Sequence, residues 1–101
     1  MIAFNFTIKV SQRIQQEWLV WVQEEHIPAI LSTRLFDDYK LYRLLEHDET
    51  EGPTFIIQFF TSSIERYRQY IIEFAPKLQQ ASWDKWGNNF IAFRTIMEVV
   101  H

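Results

Sequence analysis

From Ile2 to Val10 the side chains alternate without a break, with Ile2, Phe4, Phe6, Ile8 and Val10 on one side and Ala3, Asn5, Thr7 and Lys9 on the other. Only a β-strand has a side-chain period of two, so the chain opens with a strand that hides the first set. A second alternating run, Phe90 to Val100, closes the sequence, with Ile91, Phe93, Thr95, Met97 and Val99 opposed to Ala92, Arg94, Ile96 and Glu98. The segment between must fold so that both ends join one sheet.

That segment reads as two helices flanking a hairpin. Ser11 stands where an N-cap is expected, and Ile14, Trp18, Trp21 and Val22 recur at helical spacing. The helix is expected to reach about Leu31 and to bend or restart at His26-Ile27-Pro28, because proline costs about 3 kcal/mol in a straight helix interior. Phe36 to Glu46 is expected to be a strand of open facing. The Gly52-Pro53 loop then turns it back into Thr54 to Thr61. There Phe55, Ile57 and Phe59 face one way and Ile56, Gln58 and Phe60 the other, the mark of a central strand. Ser62 and Glu65 have capping-box spacing, and Ile64, Tyr67, Ile71, Phe74 and Leu78 continue as a helical stripe. Pro76 divides that stretch into Ile64–Phe74 and Pro76–Trp86, with Gly87 as the stop and Asn88-Asn89 as a turn.

The order β-α-β-β-α-β predicts an α+β, ferredoxin-like fold, two helices on one face of a four-stranded antiparallel sheet. With 101 residues the chain supports one core, so a single domain over 1–101 is expected. The other sheet face stays bare. A face carrying Ile56, Phe60, Phe90 and Ile96, in a chain with nine Phe, four Tyr and four Trp, exposes more apolar area than a monomer tolerates. A homodimer packed sheet to sheet, a dimeric α/β barrel, is the expected remedy.

Other classes are disfavoured. A formal charge of −3 without a basic block does not suit nucleic acid. The chain has no cysteine, no apolar run long enough to suggest a membrane span, and no signal-peptide pattern in Met1-Ile2-Ala3-Phe4-Asn5, so a cytoplasmic protein is expected. No phosphate loop, nucleophile elbow or metal-spaced histidine set is present, so neither a cofactor nor a metal is expected.

Two constellations remain. His26 follows Val22 by four residues and Trp18 by eight, which places it on the shoulder of the apolar stripe, as a candidate acid or base or as a cation near the last helical carbonyls. Asn5, Thr7, Gln58, Arg94 and Glu98 interrupt apolar strand positions and are expected together on the bare sheet face. They would bind a polar or anionic ligand there, or pair Arg94 with Glu98 across a two-fold axis. Trp18/Trp21 and Trp83/Trp86 suggest an aromatic-walled space between helices and sheet.

Trp18-Leu19-Val20-Trp21 with Glu25-His26-Ile27-Pro28, Tyr70 through Phe74-Ala75-Pro76-Lys77-Leu78, and Phe90-Ile91-Ala92-Phe93-Arg94-Thr95 resemble a family of short bacterial proteins classed as a domain of unknown function. The resemblance spans essentially the whole chain and implies the dimeric α/β-barrel group, which includes cofactor-independent antibiotic-biosynthesis monooxygenases, haem-degrading monooxygenases and ligand-sensing domains. Haem-degrading relatives use a first-strand Asn, a Trp and a second-helix His. Asn5 and Trp83 match in position, but residues 64–86 contain no histidine.

Three functions are therefore open. The first is a homodimer that binds a small molecule in a cavity at the sheet face, using Asn5, Gln58, Arg94 and Glu98, or between helices and sheet, beside Trp18 and Trp21. The second is a cofactor-independent monooxygenase or isomerase acting on an aromatic molecule, with His26 moving the proton and Trp18 and Trp21 shaping the pocket. The third is a purely structural dimer.

Overall fold

The computed structural model describes residues 1–101. Strand β1 (Ile2–Val10) leads through a 3₁₀ turn (Gln12–Ile14) into helix α1 (Gln15–Trp21), a π-helical turn (Val22–His26) and helix α2 (Ile27–Leu31). Strands β2 (Asp38–Arg43) and β3 (Thr54–Thr61) follow, then helices α3 (Ile64–Glu73) and α4 (Ala75–Trp86) and strand β4 (Phe90–Glu98). The sheet runs β2-β3-β1-β4, antiparallel throughout, which is the ferredoxin-like arrangement.

The alternation in β1 acts as expected. Phe4, Ile8 and Val10 are buried under the helices with Phe55, Ile57 and Phe59 of β3 and Trp18, Val22, Ile27, Ile30 and Tyr70 of the helices. Phe4 meets Tyr67 edge-on at 5.0 Å and Phe36 at 5.9 Å, and Phe36 meets Tyr70 edge-on at 5.1 Å, so aromatic contacts form the centre of this core. Arg66 ties the helix layer down: its Nε donates to the Leu35 carbonyl at 3.2 Å and to Thr61 Oγ1 at 3.0 Å.

Three local expectations change. The second strand is shorter than Phe36 to Glu46: Phe36 turns into the core before it, and Glu46 at φ 53° ends the ladder soon after it. The α3 cap is Ser63, whose hydroxyl accepts from the Arg66 N–H, one residue later than the Ser62/Glu65 spacing suggests. Ser11 stands at the cap position without a side-chain bond, and its carbonyl instead accepts from the Ile14 N–H.

One expectation reverses. In the β1–β4 register Phe6 stands opposite Arg94, Phe4 opposite Ile96, Ile2 opposite Glu98 and Val10 opposite Phe90. Paired residues share a face, so Arg94, Glu98, Phe90 and Ile96 lie on the helix side, and Arg94 cannot join Asn5, Thr7 and Gln58. The bare face instead carries Ile91, Phe93 and Met97 with Ile56 and Phe60. The outward set, with Ile91, Phe93 and Met97, is the more apolar one, and the inward set holds Arg94 and Glu98. Hydrophobic alternation therefore separates the two sets but points to the wrong side, and the pairing with β1 decides the facing.

Gly52 has a tighter role than loop punctuation. It sits at φ +134°, and a Cβ there would lie 1.8 Å from the Val10 carbonyl oxygen, while Pro53 accepts from the Val10 N–H at 3.0 Å. The hairpin loop thus seals against the end of β1. Gly87, at φ +58°, has open space around it. We expect Gly52→Ala to cost about 3 kcal/mol or more in urea denaturation and Gly87→Ala about 1 kcal/mol; equal losses would show that the close approach is not required.

Candidate functional site

Pro28 has no N–H to donate into the preceding turn, and the chain answers by widening that turn: the Ile27 N–H bonds to the Val22 carbonyl, five residues back. This brings residues five apart into contact. The His26 imidazole stacks on Trp21 with ring centroids 4.7 Å apart and planes 21° from parallel. In an unbroken α-helix Trp21 and His26 would not share a face. Trp21 is also met edge-on by Trp86 at 5.8 Å, and Trp18 stacks on Phe55 at 5.3 Å. Trp83, by contrast, is 56% exposed and takes no part in this wall.

Between helices and sheet lies a cavity of about 330 Å³. Trp18, Trp21, Val22 and His26 form one wall, and Tyr70 of α3 with Leu78, Gln79 and Ser82 of α4 form another. Phe6 and Ile8 of β1 and Phe90, Ala92 and Arg94 of β4 supply the floor. The cavity opens where β4, an edge strand, is left exposed by the helices.

The structure thus brings His26, Trp18, Trp21 and Arg94 together and leaves Asn5, Gln58 and Glu98 out. Asn5 and Gln58 pair with each other on the bare face, beside a shallow depression. Asn5 Nδ2 donates to Thr7 Oγ1 at 3.2 Å, and the Tyr42 hydroxyl donates to Gln58 Oε1 at 3.3 Å. Glu98 sits at the far end of β4 opposite Ile2. Tyr70 is the aromatic lining residue that the helical stripe missed, as it missed Gln79 and Ser82. It follows Tyr67 by three residues and precedes Phe74 by four, a spacing that could have found it.

Burial sets the protonation states. Loss of hydration pushes the His26 imidazole down to about 4, so at neutral pH it is uncharged, with one ring nitrogen donating and the other accepting. Burial pushes the Tyr70 phenol up to about 12, against the pull of the Arg94 charge. Arg94 takes part in none of the chain's ion pairs, which join Lys9 to Glu51, Arg43 to Glu49 and Arg66 to Asp37. The site therefore offers a neutral imidazole, a phenol and a free guanidinium around an apolar room. No group of three His, Cys, Asp or Glu side chains is placed to hold a metal ion.

The sign for stability follows. His26 titrates near 6.5 when unfolded and near 4 when folded, so the folded state binds fewer protons between those values and loses stability as pH falls through that window. The full loss is roughly 3 kcal/mol. Asp48 and Glu49 have carboxyls held below their ordinary range by hydrogen bonds from Thr50 and Arg43, and they lose stability only at lower pH. Urea melts between pH 6.5 and 4.5 should show the decline in the wild type and a flattened profile in His26→Phe; an unchanged slope in the variant would refute the buried neutral imidazole.

The model of a family described as a domain of unknown function, DUF4286, matches residues 1–100. No curated protein matches the chain. Among solved structures, an ethyl tert-butyl ether d (EthD) family protein from Bacillus halodurans C-125 is 11% identical with a TM-score of 0.69, over 99% of this chain and 100% of its own. SnoaB, a cofactor-independent oxygenase from Streptomyces nogalater, is 11% identical with a TM-score of 0.64, over 99% of this chain and 93% of its own. A dimeric ferredoxin-like protein from an uncultured marine organism is 16% identical with a TM-score of 0.65, over 100% of this chain and 96% of its own. At such identities the likeness shows the fold. No helix is long and apolar enough to cross a membrane.

Proposed function

This chain belongs to DUF4286, a family of domains of unknown function, and from that premise we propose a homodimer that binds a small molecule in the cavity between its helices and its sheet. The observation that carries this reading is the cavity itself, about 330 Å³ with nine hydrophobic residues among its thirteen, plus polar groups from His26, Tyr70 and Arg94. An apolar room of that size with a few convergent polar groups is the usual form of a ligand site.

The dimer rests on the bare sheet face. One row across all four strands reads Phe93, Thr7, Ile56, Tyr42, and another reads Met97, Ala3, Phe60, Asp38. Phe93 is 65% exposed and Ile91 58%, and a patch of this kind is normally an interface. Two such faces pack as isologous sheets about 10 Å apart. The neighbour described as a dimeric ferredoxin-like protein lends support at the level of the fold.

A cofactor-independent monooxygenase or isomerase acting on an aromatic molecule is the second reading, favoured by the placement of His26, Trp18 and Trp21 around one cavity. His26 would be its proton-transfer group. An imidazole held near 4 is a weak base at neutral pH, and that ranks binding ahead of catalysis.

Sedimentation tests the dimer: the wild type should run as a dimer at micromolar concentration and Phe93→Glu as a folded monomer, and a monomeric wild type would overturn it. For the cavity, the neutral fluorophore N-phenyl-1-naphthylamine should bind with one site per protomer, and Ala92→Trp, which fills the floor, should weaken it at least about tenfold. Binding unaffected by Ala92→Trp, or absent from both proteins, would leave the purely structural dimer as the reading.

A further inference from the structure

The cavity's charges are as one-sided as its walls are apolar. Arg94 is the one lining residue with a formal charge at neutral pH, and no Asp or Glu lines the cavity. Its neighbours offer no internal partner: Phe6 lies across the ladder, and Ala92 and Ile96 flank it on the same face of β4. The other polar lining groups, His26, Tyr70, Gln79 and Ser82, are neutral donors and acceptors, with the first two held neutral by burial. The aromatic side chains come from both layers, Trp18 and Trp21 from the helix and Phe6 and Phe90 from the sheet.

An unpaired guanidinium at the mouth of an apolar room attracts an anion and pairs with a carboxylate in bidentate fashion. Flat aromatic walls favour a flat ring system through offset and edge contacts. From this juxtaposition we infer that the ligand is an aromatic monocarboxylate of one or two rings, with its carboxylate on Arg94 and its rings among Trp18, Trp21, Phe6 and Phe90. The inference rests on the cavity being the binding site and adds the class of molecule that enters it. A second acidic group on the ligand would find no second cation in the lining. A long acyl chain would lack the ring contacts.

Calorimetric titration at pH 7 and low salt with 2-naphthoate, the neutral isostere 2-naphthol and the aliphatic acid decanoate tests each part. We expect 2-naphthoate to bind about fivefold or more tighter than either of the others, as befits a partly exposed charge pair. Arg94→Gln should erase its advantage over 2-naphthol while leaving 2-naphthol affinity in place. Lys85→Gln, which removes an equal charge outside the cavity, should change neither. Equal binding of 2-naphthoate and 2-naphthol, or a preference that survives Arg94→Gln, would overturn the carboxylate assignment while the cavity reading stands. Decanoate binding as tightly as 2-naphthoate would overturn the aromatic assignment. Binding of none of the three would remove the cavity reading as well.

Discussion

The antiparallel register that sets Phe6 opposite Arg94 governs the rest of the molecule. Because side chains alternate with a period of two, a slip of one residue would exchange every inward and outward group of β4. Ile91, Phe93 and Met97 would then crowd under the helices, and Arg94 would move to the bare face. As it stands, a cation lies on the cavity floor and aromatic bulk lies on the uncovered side. The charged cavity floor and the bare apolar face are thus two consequences of one pairing. The ladder extends past the strand itself, with the Val99 N–H bonded to the Met1 carbonyl at 2.8 Å.

On the opposite wall the controlling feature is Pro28. A proline after a helical run removes one hydrogen bond and crowds the preceding turn. The five-residue π-helical turn absorbs that cost without ending the helix. Its by-product is the Trp21–His26 stack, which sets the half-buried imidazole against the cavity and limits its hydration. Widened turns of this sort are frequent at functional sites. Nearby, the Trp86 indole N–H is buried without a partner, at a cost of roughly 1–3 kcal/mol. That cost is consistent with shape rather than hydrogen bonding setting the packing of α1 against α4.

The bare face is not uniformly apolar. Between its two mainly apolar rows runs a fully polar one, Thr95, Asn5, Gln58 and Lys40, spanning all four strands. In a sheet-to-sheet dimer such a row contributes little net affinity, because its groups exchange water for protein partners. It penalises any mutual alignment that would set amides against aromatic side chains. In the proposed assembly Asn5 and Gln58 would therefore act as specificity elements of the interface, separate from the cavity on the other side of the sheet.

Local periodicity was enough to show the element order, the full extents of β1 and β3, the division of the second helical segment at Pro76 and the excess of aromatic surface. These are properties of the backbone period and of proline and glycine stereochemistry, which act within a few residues. Trp18, Val22 and His26 were legible as one helical row for the same reason, whereas the Trp21–His26 stack needed the π-helical turn. The inward side of β4 was not legible, because its more apolar set faces away from the helices and only the pairing with β1 shows this. Nor was the grouping of Arg94 and Tyr70 with His26, since these residues lie on three elements and meet through long-range packing. Composition and local pattern thus determined which pieces form. The tertiary structure decided which face of the last strand is inside, and with it the position of the cavity's one charge.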